Sequence, residues 1–288
     1  MNASDRTEET SAEGNCVKSS ENEYLKILLG LTASVRRVIL QLSRDDSARA
    51  VTRRKATDVT RKIDEVAEEK AVEYLQDKGL STYLVSEEST ARVVGGEPEI
   101  AVVLDPLDGS MNFVNSIPFY AVSAAIGAFK QDMTIGDLTA GVVRDVVNGD
   151  VFSAAKGAGA YYNKKRIISN PERPMTSPLV SFYTYGSKEL PIQIGGLQEL
   201  TRHRTLGSAS LEICYVASGK LDAMIDVRGF MRIVDFAAGK IVLEEAGGIF
   251  TDIRGNRIDP MLEDQSGVSL IAAGNRKLHE WLLKLMWG

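Results

Sequence analysis

Histidine and cysteine are nearly missing from this chain, and their scarcity closes off whole classes of chemistry. His203 and His279 are the only histidines in 288 residues, so a metal site built on imidazole nitrogens is nearly excluded. Any metal must then be held by carboxylates, which points to Mg²⁺, with Mn²⁺ as a substitute, rather than zinc. The two cysteines stand far apart, Cys16 in a polar leader and Cys214 in an apolar helical pattern. A disulfide framework is therefore not expected, and a reducing, cytoplasmic setting is. No apolar run approaches the length of a membrane span, and the leader lacks the apolar core of a signal peptide. Basic residues are not in excess either: 34 Lys and Arg against 39 Asp and Glu give a net charge of −5. That balance argues against a general nucleic-acid binder, so neither nucleic acid nor membrane is expected as a partner.

What is present is an ordinary globular mixture, 44% apolar and 25% charged, enough for one large domain or two small ones. Residues 1–20 are rich in Ser, Thr, Glu and Asn and are expected to be a disordered leader. Apolar residues from Tyr24 to Leu42 recur at helical spacing and predict an amphipathic helix over 21–42. A charged loop over 43–57 follows, able to close over an anion or simply to lie in solvent. Asp58 is a plausible N-cap for a second helix that ends near Gly79 and carries Asp64. From 80 to 152 the chain reads mainly as strands, at 80–86, 99–105, 119–129 and 137–147, with a hairpin or turn at 157–163. The remainder alternates: strand 178–185, helices 189–201 and 208–217, strand 221–227, helix 235–246, strands 248–253 and 267–273, and helix 276–287. The expectation is an α+β fold with a larger antiparallel sheet in 21–170 and an α/β half in 171–288, the site lying between them.

The chemistry concentrates at 100–110, Ile-Ala-Val-Val-Leu-Asp-Pro-Leu-Asp-Gly-Ser. A β-branched run fit for a doubly covered strand leads directly into Asp105 and Asp108, with Pro106 blocking the ladder and Gly109 opening a tight backbone. Two acids on so short a turn repel unless a cation lies between them or one keeps a proton. The Leu107 carbonyl adds a third hard oxygen, and Gly109 and Ser110 offer N–H groups and a hydroxyl to an anion. An Asp-rich turn with no further role is the alternative. Glu87 and Glu88 end the preceding strand in the same manner, so two neighbouring strands would bring acids to one sheet edge; Glu88 could equally be solvated. Asp235 opens a helix whose next residues, Phe236-Ala237-Ala238-Gly239, allow close packing. It could serve the site or merely cap its helix.

Taken together, Ser86-Glu87-Glu88-Ser89, Asp105-Pro106-Leu107-Asp108-Gly109-Ser110 and Asp235-Phe236-Ala237-Ala238-Gly239 resemble the signature of the inositol monophosphatase family over about residues 21–288. The resemblance implies a layered αβαβα sugar-phosphatase fold, a homodimer, and Mg²⁺-dependent hydrolysis of small sugar phosphates. It implies that Glu87, Asp105, the Leu107 carbonyl, Asp108 and Asp235 hold two Mg²⁺, with Asp64 helping a third. In this scheme Glu87 and Ser110 position and activate the attacking water, and Asp108, Gly109 and Ser110 meet the phosphate. Where inositol-specific members have a Trp before the last Asp and an acid seven residues upstream of it, this chain has Val234 and Arg228, with Arg232 between. Arg matches phosphate with a forked donor set. The departures therefore resemble archaeal enzymes that act on both fructose 1,6-bisphosphate and inositol 1-phosphate, unless Arg228 and Arg232 simply pair with acids. Tyr185, Lys188, Arg204, Ser208 and Ala209 are further substrate candidates, and Tyr183 and Tyr185 could instead be packing residues. A 3′-phosphoadenosine 5′-phosphate phosphatase and a non-catalytic regulatory protein on the same fold are the rival readings.

Overall fold

The computed structural model describes residues 5–43, 51–54, 59–87, 91–169, 177–186 and 201–288, the backbone alone for 5–22, 51–54 and 59–61. The helical repeat near the N-terminus forms α1 (Asp5–Leu42), whose Leu28, Leu31, Val35 and Ile39 are fully buried. The described backbone of α1 begins at Asp5, inside the segment expected to be a disordered leader. Extending a packed helix adds one hydrogen bond per residue fixed and needs no new nucleus, which an amphipathic count does not register. A short antiparallel ribbon, β1 (Val51–Arg54) with β2 (Val59–Arg61), occupies ground expected to be loop and helix cap. Asp58 lies outside the described residues. Helix α2 (Lys62–Asp77) follows and buries Ile63, Ala67, Ala71 and Leu75 at its four-residue repeat.

Eight strands then build the larger sheet: β3 (Thr82–Ser86), β4 (Arg92–Val94), β5 (Ile100–Asp108), β6 (Ala121–Ala128), β7 (Ala140–Asp145), β8 (Val151–Ala155), β9 (Gly159–Tyr162) and β10 (Lys165–Ile167). The short helix α3 (Ser110–Val114) leaves β5. Their order is β10-β9-β8-β7-β6-β5-β3-β4, antiparallel except where β3 runs parallel to β5. The second sheet holds β11 (Leu179–Tyr183), β12 (Arg202–Arg204), β13 (Ala223–Met231), β14 (Ile249–Asp252) and β15 (Val268–Ala273) in the order β12-β11-β13-β15-β14. Strands β12, β11 and β13 run parallel, and β15 runs antiparallel to both its neighbours, β13 and β14. Helices α4 (Ala209–Ala217), α5 (Ile233–Glu245) and α6 (Arg276–Trp287) complete the described elements. The helix expected over 189–201 falls almost wholly outside them.

Three apolar clusters show the layering. One joins α1 and α2 to Ile100, Val102 and Leu104 of β5; a second joins α4 and α5 to Ala101 and Val103 on the other face of that strand. The third packs α6 against the outer face of the smaller sheet. The α+β, αβαβα arrangement thus follows from period-two burial on both faces of β5, which is buried along its whole length. Helix α5 reaches the sheet closely because β7 presents glycine there: a Cβ on Gly141 would stand 2.8 Å from the Ala238 carbonyl. No helix among the described residues is long and apolar enough to cross a membrane.

Candidate active site

Burial of β5 decides where its acids point. Ala101 and Val103 face α4 and α5, so period two sends Asp105 to the same side; it is 2% exposed. Strand β5 does not stop at 105, as expected with Pro106 next, but runs to Asp108. The pairing with β6 is irregular between Asp105, opposite Ser123, and Asp108, opposite Ala121. Proline is tolerated in such a bulge because no ladder N–H is needed there. The Leu107 N–H donates to Asp105 Oδ1 at 2.9 Å and holds the carboxylate in place. In β3, Val85 belongs to the same interior face, and the parallel register of Ser86 beside Leu104 brings Glu87 alongside Asp105. Asp235, at the start of α5, completes the group.

The electrostatics follow from this crowding. Burial, then Glu87, Asp108 and Asp235, hold the Asp105 carboxyl well above the usual carboxylate range, against the opposing charge of Arg232. Burial also raises Asp108, although four donors favour its ionised form: Ser208 Oγ at 2.6 Å, Ser210 Oγ at 2.5 Å, and the N–H groups of Ala209 at 3.1 Å and Ser210 at 2.7 Å. Asp108 is thereby seated on the first turn of α4 and ties the two sheets together. Asp235 is raised to about 6, again by burial, with Arg232 opposing. Its Oδ2 accepts the Arg232 N–H at 2.6 Å, so the capping role left open by the sequence is real and coexists with membership of the acid group.

Among the described residues, no three or more carboxylates, histidines or cysteines are gathered tightly enough to hold an ion as they stand. The donors nevertheless suit a hard divalent cation: they are oxygens only, desolvated, and raised by mutual repulsion that such a charge would relieve. Ser123 Oγ adds an orphaned polar atom. It is buried opposite Asp105 with no hydrogen-bond partner, a state native interiors seldom leave uncompensated.

The other expected residues divide. Asp64 is buried on α2 one turn before Glu68, whose carboxylate accepts from Ser86 Oγ at 2.7 Å and pairs with Arg92 at 2.7 Å, so this helix face turns to the end of β3. Gly109 and Ser110 join β5 to α3, and Asn112 clamps the turn by donating to the carbonyls of Phe119 and Leu206, both at 2.7 Å. Ser208 and Ala209, expected to touch substrate, are buried and spend their donors on Asp108. Tyr183 is a packing residue that donates to Glu212 Oε1 at 2.6 Å, while Tyr185 is exposed. Arg204 lies exposed on edge strand β12 and is not among the residues that line the cavity described next. Lys188 and Glu88 lie outside the described residues.

A cavity of about 600 Å³ opens beside the acids, lined by Tyr185, Arg228, Gly229, Phe230, Arg232, Gln265 and Gly267. Arg228 reaches it only partly. Its Nε and Nη2 donate to Asp226 Oδ2 at 2.8 and 2.5 Å, and its guanidinium stands 4.5 and 4.4 Å from the ring centres of Tyr183 and Tyr185. Its charge is therefore compensated by Asp226, a residue the sequence reading passed over. The Asp-x-Arg spacing was the available signal, since alternate residues of a strand share a face. Arg228→Ala is expected to leave Asp226 buried without its partner and to cost about 3 kcal/mol. Adding Asp226→Asn should recover most of that loss in urea denaturation; a stable single variant would refute the pairing.

Glu212 was likewise missed. It accepts the N–H groups of Leu206 at 2.9 Å and Gly207 at 2.8 Å, and bonds Ser181. Burial pushes its carboxyl from 4.5 up to about 7, despite the donors. The folded protein thus holds this proton more tightly than the unfolded chain. The stabilisation is complete below about pH 4.5 and is lost as pH rises through about 7, on the order of 3 kcal/mol in all. Glu212→Gln should lose correspondingly less stability than wild type between pH 5 and 8 in chelator, and parallel pH profiles would contradict the assignment.

Comparison with known proteins places these observations. The family model described as "Inositol monophosphatase family" matches residues 20–288. A fructose-1,6-bisphosphatase/inositol-1-monophosphatase of Methanothermobacter thermautotrophicus is 39% identical over 233 residues, 79% of this chain and 83% of the relative. A bifunctional NADP phosphatase/NAD kinase of Methanococcus maripaludis is 35% identical over 239 residues, which cover 78% of this chain but 42% of that longer protein. Among solved structures, a Pyrococcus horikoshii protein described as having similarities to inositol-1 monophosphatase superposes with a TM-score of 0.77. It is 31% identical, and the match covers 93% of this chain and 99% of that one.

Proposed function

The chain belongs to the inositol monophosphatase family, a phosphatase family generally dependent on Mg²⁺, and on that premise we propose that it hydrolyses fructose 1,6-bisphosphate and inositol 1-phosphate. The observation that carries the site assignment is the acid group itself, with Asp105 and Asp108 buried and Glu87 and Asp235 partly so. Glu87, just past β3, Asp105 of β5 and Asp235 of α5 converge with Asp108, and Asp105 is raised by burial first and then by the other three. Glu87, Asp105, the Leu107 carbonyl, Asp108 and Asp235 would hold two Mg²⁺, with Asp64 assisting a third and Mn²⁺ able to substitute. When bound, such ions neutralise phosphoryl charge, acidify water and stabilise the leaving alkoxide.

The chain's own residues supply the positioning. Glu87 and Ser110 orient the attacking water, whose proton passes toward the Glu87 carboxylate. The Asp108-Gly109-Ser110 turn receives the phosphoryl oxygens, held rigid by α4 on one side and Asn112 on the other. The sugar extends into the 600 Å³ cavity beside Tyr185. A homodimer in the cytoplasm belongs to the same proposal. One observation favours a second reading. Tyr185 and Phe230 expose 66% and 50% of their surface at that cavity and could stack on a base, so a nucleotide phosphate is the rival substrate. Phosphate release from fructose 1,6-bisphosphate, inositol 1-phosphate, NADP and 3′-phosphoadenosine 5′-phosphate, with Mg²⁺ and with chelator, tests both. Turnover should be greatest on the sugar phosphates and vanish in chelator. Preference for a nucleotide would transfer the assignment to the second reading, and inertness toward all four would favour a binding protein.

A further inference from the structure

The guanidinium of Arg232 stands on the acids assigned above to the metal. It bonds Glu87 Oε1, its Nη2 lies 3.6 Å from Asp235 Oδ1, and its charge opposes the upward shift of Asp105. The same side chain lines the 600 Å³ cavity next to Tyr185, Phe230 and Gln265. Its backbone is fixed, because Arg232 caps α5 and its N–H is held by Asp235, so any change of partner must come from the long side chain. Two facts then conflict. A divalent cation on Glu87 and Asp235 needs the lone pairs that the guanidinium uses, and it would face a unit positive charge at short range in a desolvated setting.

We propose that Arg232 is a built-in counter-cation that neutralises Glu87 and Asp235 in the metal-free protein and is driven from them into the adjoining cavity when metal binds, where it meets an anionic group of the substrate remote from the reacting phosphate. The proposal rests on the metal-site reading above. Arg232 is a positioning residue in this scheme, with two alternative partners of the same chemistry, carboxylate or phosphate. One consequence is that the chain resists metal when alone. Another is that metal and a substrate with a second anionic group bind with positive coupling, each making the other's site available. Arg228, committed to Asp226, cannot take this part so readily.

Calorimetric titration of Mg²⁺ into chelator-stripped protein tests this without reference to turnover. Arg232→Met should bind Mg²⁺ about tenfold more tightly than wild type, since nothing must be displaced. Fructose 6-phosphate, which carries only the remote phosphate, should tighten Mg²⁺ binding to wild type by a similar factor and leave the variant unmoved. The stripped variant should melt below wild type in chelator and regain the difference with Mg²⁺. Arg232→Lys, which keeps the charge and so guards against a folding failure, should fall between the two in Mg²⁺ affinity. Equal or weaker Mg²⁺ binding by Arg232→Met, with wild type binding normally, would overturn the counter-cation and leave the metal site standing. Failure of Arg232→Met, and of wild type with fructose 6-phosphate present, to take up Mg²⁺ at all would overturn both.

Discussion

Asp105→Asn is expected to lower Mg²⁺-dependent phosphate release on the order of a thousandfold or more, while the metal-free protein melts at the same temperature as wild type or higher. The two halves of this result have one cause. Asp105 lies at the middle of the acid group, buried beside Glu87, Asp108 and Asp235, and burial with three like charges lifts its carboxyl well above the usual range. Asn keeps the size and can still accept the Leu107 N–H, so the bulge at 106–107 survives. It removes only the charge. Without metal that charge is a liability, which is why stability should not fall. With metal it would be a ligand of the proposed site, which is why turnover should collapse. A merely structural Asp would show the opposite split, a lower melting temperature with activity retained in the folded fraction. Phosphate-release assays and thermal melts in chelator separate the two.

Gly109→Ala should cost about 3 kcal/mol and abolish activity together. Gly109 has φ +95°, a left-handed conformation in which an L side chain is strained by about 1–2 kcal/mol. Space is closed as well: a Cβ there would lie 3.0 Å from the Gly207 carbonyl and 3.1 Å from both the Phe119 carbonyl and the Tyr120 Cβ. Two of these neighbours are backbone, pinned by Asn112 through its bonds to Phe119 and Leu206, so the clash cannot be relieved by a rotamer change. The turn must move, and with it the direction in which Asp108 and Ser110 leave it. Chemical denaturation with and without Mg²⁺ should give a similar loss, in contrast to Asp105→Asn. An unstrained, active Gly109→Ala protein would show that the turn is not rigid.

The parts legible in the sequence were those set by period and by repetition of one residue type. The β-branched run before Asp105 marked a doubly covered strand. Strands ending in acids at Glu87 and at Asp105 marked one sheet edge, because parallel neighbours with matching termini leave little choice of face. The small residues after Asp235 marked the close approach that Gly141 permits. What stayed hidden depends on pairings between distant segments. Nothing near Asp108 announces that Ser208 and Ser210, a hundred residues on, would supply its donors. The ribbon β1–β2 and the edge strand β12 are three or four residues long, too short for a period to show. Charge alone was incomplete: it left Arg228 as a phosphate contact or an acid's partner, and Asp226, two residues earlier on the same strand, holds it. Arg232 looked equivalent to it, yet its place at the cap of α5 sets that guanidinium on Glu87, just past the end of β3.

The claim on which the rest depends is that these buried acids are a metal site. Anomalous diffraction from a crystal soaked in Mn²⁺ tests it most directly. Peaks are expected within coordination distance of Asp105, with Glu87 and Asp235 as further ligands and the Arg232 guanidinium turned away from both. A crystal that takes up Mn²⁺ elsewhere, with Arg232 still seated on Glu87 and Asp235, would contradict it.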